Sequence, residues 1–310
     1  GLQSPAETLN DGAKPLIERN VKFMENKSIT LKNEYLKVEI SSCGAEMTSI
    51  RVPAGREYLH QRNPETWNRQ APVLFPISGH LAADKIIVDG TEYAIRSHGF
   101  AMDRIFNAEE HDDNHAIFSL VSDSETRKQY PYDFVLKIGY RLVGKAIKIT
   151  YTVTNAGGGD MFFSIGSHEG YICEGGLCGY EIHFEDREEK PYYFEGHSYD
   201  LDGFGEDGSG SVLRLCDAMF EGDKTVVFEE VKSSRVTLRN KNAETFVSVD
   251  FEGFDNLFIW SRKGADFVCI EPWCGMAEEN ETAADISVKP FIRRLKPSEC
   301  FEINHSISIG

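Results

Sequence analysis

The stretch Met161-Phe162-Phe163-Ser164-Ile165-Gly166-Ser167-His168-Glu169-Gly170-Tyr171 reads as a buried strand that ends in a histidine. Met161, Phe162, Phe163 and Ile165 suit an extended backbone, and Gly166 reads as the turn that presents His168 at the strand's end. A histidine so placed is either a core residue satisfied by one hydrogen bond or a rigidly held proton carrier. Two other stretches favour the second reading. Ser97-His98-Gly99-Phe100 sets a second histidine before a glycine, and Val268-Cys269-Ile270-Glu271-Pro272-Trp273 sets a carboxylate inside an apolar strand.

Outward from this anchor the pattern is strand after strand. Ser28–Lys32, Leu36–Ser41 and Glu46–Val52 are short runs separated by Asn33-Glu34 and Cys43-Gly44, as in an antiparallel sheet. Asp89-Gly90 between Ile86–Val88 and Thr91–Ile95 is a two-residue hairpin signal, because both positions tolerate positive φ. Val135–Leu142 and Ala146–Thr154 form another hairpin, in which Ile147, Ile149, Tyr151 and Val153 alternate with Lys148, Thr150, Thr152 and Thr154. Strand signals resume from Val212 to Ile309 after a solvated Gly/Asp/Ser loop at Gly203–Gly210. Helix is scarce: one turn is expected at Pro64–Arg69 and one capped short helix at Ser124–Gln129. The expected fold is all-β, a large antiparallel β-sandwich spanning residues 24–310 as one domain. Residues 1–23 are polar, Pro/Gly-punctuated and aperiodic; they read as a flexible tail, with Met24 as the natural start.

Composition narrows the function. The 310 residues carry 41% hydrophobic content, enough for a packed core, and a formal charge of −17. Binding a polyanion needs clustered Lys and Arg, so nucleic acid is excluded as a partner and a neutral substrate is expected unless a local basic pocket overrides the field. No run is long enough to span a bilayer, and no basic region followed by an apolar core marks a secretory signal. Seven cysteines without a Cys-x-x-Cys pair read as reduced thiols, which points to the cytoplasm.

Glu271 is the most informative single residue. An ionised carboxylate among Phe267, Val268, Ile270 and Trp273 costs several kcal/mol unless specific partners solvate it. Pro272 holds the preceding residue extended, which fixes the direction of Glu271. Burial raises a carboxyl pKa and suits it to acid–base work near neutrality. His80, after Leu74-Phe75-Pro76-Ile77-Ser78-Gly79, repeats the pattern of an apolar strand ending in glycine and a polar side chain.

Five motifs in order, Trp67-Asn68-Arg69-Gln70-Ala71-Pro72-Val73-Leu74-Phe75-Pro76-Ile77, Ser97-His98-Gly99-Phe100-Ala101, Tyr130-Pro131-Tyr132-Asp133-Phe134, Phe163-Ser164-Ile165-Gly166-Ser167-His168 and Cys269-Ile270-Glu271-Pro272-Trp273, resemble the aldose 1-epimerase (galactose mutarotase-like) family, its shorter branch most of all. The resemblance covers nearly all of Ser28–Ile309. It implies a β-supersandwich and interconversion of the α and β anomers of a free sugar without metal or organic cofactor. It further implies Glu271 as base, His168 as acid, His98 hydrogen-bonded near the reacting centre, and Asp223 as a sugar-binding aspartate, although Asp223 also reads as an exposed turn residue after Gly222. Trp273 is expected to stack on the sugar or to serve the core. The family often has arginine where this chain has His80 and Met102, with Arg69 or Arg104 as substitutes. Its usual proline after the catalytic histidine is Glu169 here, a neighbouring carboxylate expected to raise the pKa of His168.

The leading reading is an isomerase, a mutarotase acting on a neutral aldose. A non-catalytic carbohydrate-binding protein or sugar sensor on the same fold is the alternative. A third reading gathers His80, His98, His168 and a carboxylate around a metal in a cupin-like barrel; the absence of short His-x-His spacing counts against it.

Overall fold

The computed structural model describes residues 25–194, 204, 208–241, 246–278 and 283–310. The expected tail, Met24 and much of the Gly203–Gly210 loop lie outside the described residues. Every ladder between named strands is antiparallel and, among the described residues, helix is confined to single turns, as the alternation and turn signals require.

Nine strands make the larger sheet, in the order Val212–Arg214, Tyr180–Phe184, Arg235–Asn240, Phe246–Asp250, Cys300–Ile309, Ala146–Asn155, Phe134–Val143, His115–Val121 and Asn107–His111. Along Ala146–Asn155 the residues Ile147, Ile149, Tyr151 and Val153 are all buried, so the alternation expected of that arm holds. Each such side chain contributes roughly 1.5–3 kcal/mol through burial. A second, seven-stranded sheet runs Tyr192–Tyr193, Thr225–Phe228, Asn256–Trp260, Phe267–Cys274, Ile165–Ser167 and Val73–Leu74, with Glu169–Ile172 also paired to Phe267–Cys274. Apolar side chains of both sheets join one continuous core, to which the three-stranded sheet Ser28–Lys32, Lys37–Ser41 and Met47–Arg51 adds its buried face.

The hairpin Lys85–Val88/Thr91–Ala94 turns through Asp89 and Gly90, both at positive φ. The short helix Ser124–Arg127 is capped by Asp123, whose side chain accepts from Glu125 N and Thr126 N while Thr126 Oγ1 accepts from Asp123 N.

Two local expectations are corrected. Pro64–Arg69 is a turn and not a helical one, closed by Thr66 N donating to Asn63 O and by an Asn63–Trp67 bridge, with Glu65 N donating to the Asn63 side chain. The anchor stretch is not one strand ending at His168. Met161–Phe163 pairs with Arg293–Leu295, Ile165–Ser167 pairs with Phe267–Cys274 and Val73–Leu74, and Glu169–Ile172 continues along Phe267–Cys274. Gly166 makes no turn; its missing side chain leaves room for Trp273, whose Cδ1 would lie 2.5 Å from a Cβ there.

Candidate functional site

The strand Phe267–Cys274 is buried along its whole length and organises the site. Alternation sends Val268 and Ile270 into the main core and leaves Phe267, Cys269, Glu271 and Trp273 on the other face. Its register with Ile165–Ser167 (Gly166 opposite Trp273) runs on without a slip into Glu169–Ile172 (Glu169 opposite Ile270), so His168 stands opposite Glu271. The ladder is interrupted at this point, next to Pro272, which has no N–H to give. The indole N–H of Trp273 donates instead to the Ser167 carbonyl at 3.2 Å. His168 Nε2 lies 3.3 Å from Glu271 Oε2, with both side chains nearly enclosed.

His98 enters from the loop after Thr91–Ala94 at a φ of 65°, held by its backbone N–H donating to Gly79 O. Its Nδ1 accepts from the Gly79 N–H at 3.2 Å. The neutral ring therefore carries its proton on Nε2, a donor that nothing in the loop consumes. Its ring stands edge-on to those of His168 and Trp273, each at 5.6 Å between centroids.

These groups form the floor of a cleft of about 460 Å³. All three tryptophans of the chain line it. Trp67 stacks on His168 at 4.9 Å, Trp260 meets the same ring edge-on at 5.8 Å, and Trp273 stacks on Phe258 at 3.8 Å. His60, behind Trp67, holds that turn by a 3.0 Å contact of Nε2 with Trp67 O. Polar walls come from Arg69, Arg96 and Arg262. Asp103 bridges Arg69 and Arg96, and Asp223 faces Arg262 at 3.3 Å, so each guanidinium has a carboxylate partner.

Burial disfavours both charged forms of the central pair. It pushes the Glu271 carboxyl well above the ordinary range, with the charge of Glu169 adding to the shift, and it pushes the His168 imidazole well below its usual value. His98 is lowered to about 4, by burial first and then by Arg96 and His80. Burial thus favours the neutral form of each group, a carboxyl that keeps its proton and an imidazole that carries no second one.

Of the residues singled out from sequence, Glu271, His168, His98, Arg69, Asp223 and Trp273 all line the one cleft. Asp223 is at once the exposed turn residue, at a φ of 61°, and a cleft residue. His80 is not among the lining residues; it is exposed, with Nδ1 3.3 Å from Ser97 Oγ. The proposed metal cluster of His80, His98, His168 and a carboxylate does not form. Among the described residues, the donors that converge are His168, Cys269 and Glu271, whose ligand atoms lie within 4.8 Å of one another. Glu169 does not act on His168 as expected. Consecutive strand residues point to opposite faces, so its carboxylate turns into the core and meets His305 Nε2 at 3.0 Å. Trp67, Trp260, Arg96 and Arg262 were not anticipated as cleft residues. The rarity of tryptophan was the available signal for the first two.

The aldose 1-epimerase family model matches residues 27–281. The LacX protein of Lactococcus lactis subsp. lactis, plasmid form, is 34% identical over 299 residues, 91% of this chain and 99% of LacX. A galactose mutarotase related enzyme from Lactobacillus acidophilus has a similar structure, with a TM-score of 0.82 and 28% identity, over 92% of this chain and 97% of its own. A galactose mutarotase-like protein from Lactobacillus casei ATCC 334 gives a TM-score of 0.84 and 25% identity, over 92% of this chain and all of its own, 100%.

Proposed function

Because the chain belongs to the aldose 1-epimerase family, we propose that it interconverts the α and β anomers of a neutral free aldose by acid–base ring opening and reclosure. The observation that carries this reading is the enclosed contact of His168 Nε2 with Glu271 Oε2 at 3.3 Å on the floor of a tryptophan-lined cleft. O1 and O5 of a hemiacetal share one carbon, so two proton-carrying groups a hydrogen-bond length apart serve both oxygens. In ring opening, His168 takes the O1 proton and Glu271 gives its proton to O5 as the C1–O5 bond breaks. The product is the open-chain aldehyde, with Glu271 ionised and His168 protonated. Rotation about C1–C2 exposes the other carbonyl face. On reclosure Glu271 accepts the proton of the attacking hydroxyl and His168 protonates the carbonyl oxygen, which restores the starting state. Glu271 as base and His168 as acid thus describes the closing half-reaction.

The walls support a sugar as the occupant. Tryptophan faces suit the apolar C–H faces of a pyranose, and paired guanidinium and carboxylate groups suit its hydroxyls. Since Arg69, Arg96 and Arg262 each have an acidic partner, the cleft offers no isolated cation for a phosphate, which favours a neutral ligand. His98 donates from Nε2 to a sugar oxygen beside the reacting carbon.

Anomer exchange followed by polarimetry and NMR on freshly dissolved glucose, galactose and other aldoses tests the reading. Acceleration by the wild type that is lost in Glu271→Gln supports it. The three tryptophans also favour the alternative, a sugar-binding protein without turnover. Saturable sugar binding with no acceleration by the wild type would establish that alternative and overturn the enzymatic proposal.

A further inference from the structure

Cys269 lies on the cleft face of its strand, two residues before Glu271, diagonally across from His168. It is fully buried in a small apolar cluster with Ala265 and Phe267, apart from the main core, and the acid–base scheme does not use it. Gly170 stands opposite it and adds no side chain over the thiol. Three donors of different kinds, a ring nitrogen, a thiol sulfur and a carboxylate oxygen, therefore face one point beneath the cleft floor.

We propose that His168, Cys269 and Glu271 form a site for a thiophilic divalent cation such as Zn²⁺, whose occupancy displaces the proton of the catalytic pair and switches the cleft off. A nitrogen, sulfur and oxygen set of three matches the ligand types of zinc, and His168 and Glu271 of the set line the cleft. Tetrahedral geometry with ordinary zinc–ligand bonds places donor atoms about 3.4–3.6 Å apart. His168 and Glu271 already approach to 3.3 Å, and all three ligand atoms lie within 4.8 Å, so closure needs side-chain adjustments of about an ångström. The Nδ1 of His168 is buried and, among the described residues, no other residue makes a hydrogen bond to it. Binding moves the Cys269 thiol proton and the proton of the pair to solvent, and no oxidation or reduction is involved.

The inhibitory consequence rests on the acid–base reading above, whereas the binding itself does not, and the test separates them. Metal-free protein is titrated with Zn²⁺ against a chromophoric chelator, and with Cd²⁺ while the ultraviolet thiolate-to-metal charge-transfer band is recorded. Cys269→Ser, Cys269→Ala and His168→Asn are run in parallel, with circular dichroism to verify folding. The expected result is one tight equivalent in the wild type, lost with its charge-transfer band in Cys269→Ala. Removing even an outer-shell partner of a metal site costs 10–100-fold, so loss of a direct ligand should cost about 100-fold or more. Anomer exchange by the wild type should fall with the same zinc dependence. Absence of a stoichiometric site in the wild type, or equal affinity and an unchanged band in Cys269→Ala, overturns the proposal whatever the activity assay gives.

Discussion

Glu169 Oε1 meets His305 Nε2 at 3.0 Å between the two sheets, directly behind the strand that carries Glu271. Both side chains are essentially closed to solvent, the His305 ring stacks on Tyr151 at 5.5 Å, and Glu169 Oε2 and His305 Nδ1 have no further partner among the described residues. Removing one member of a buried, hydrogen-bonded pair strands the other in an apolar medium. Glu169→Ala is expected to destabilise by about 3–5 kcal/mol, and replacing both residues with apolar ones by much less. Urea unfolding of the two single variants and the double variant checks this, the double variant being expected to lose far less stability than the sum of the singles.

Glu271→Gln and His168→Asn should each lower anomer exchange by about 10²–10⁴-fold because each removes a proton carrier, and the isosteric Glu271→Gln should leave sugar binding and the unfolding midpoint little changed. Rates within a factor of two of wild type would remove that residue from the reaction.

The pH profile should be broad and limited in an unusual sense. Activity requires one proton on the pair. It is lost at low pH when His168 also becomes protonated, below its depressed value, and at high pH when Glu271 also ionises, above its raised value. The two limbs report the pair as a whole, the acidic one its second proton and the alkaline one the loss of its first. Rates on both sides of neutrality, fitted for the wild type and for Glu169→Gln, check it. Removing the Glu169 charge should move the alkaline limb downward.

His98 links stability to acid. Its pKa of about 4 lies below the unfolded value of 6.5, so the unfolded chain binds more protons between them. Its contribution is complete above pH 6.5 and falls away as pH drops to about 4, amounting to about 3 kcal/mol. His98→Gln should flatten this part of the stability curve, measured by denaturant unfolding from pH 4 to 7.

Gly166→Ala should displace Trp273. A Cβ would lie 2.5 Å from the indole, which is packed against Phe258 and cannot withdraw. Overpacking of this kind costs about 1–3 kcal/mol. The sugar's KM should rise more than kcat falls, and indole fluorescence should shift.

The amino-acid sequence by itself determined the strands and much of the site's membership. Period-two alternation in Ala146–Asn155 and Asp-Gly at the Lys85–Val88/Thr91–Ala94 turn are local signals, since they depend on side-chain direction and backbone torsion within a few residues. Glu271 was legible because a carboxylate in an apolar strand costs energy wherever that strand is placed. Tertiary structure alone decided what those residues meet. Whether Glu169 faces His168 or His305 depends on which face of the sheet looks toward the other sheet, a property of packing that no local pattern encodes. The same holds for Trp67, Trp260, Arg96 and Arg262. They come from separate turns and strand ends, and only the closing of the sandwich places them around one cleft.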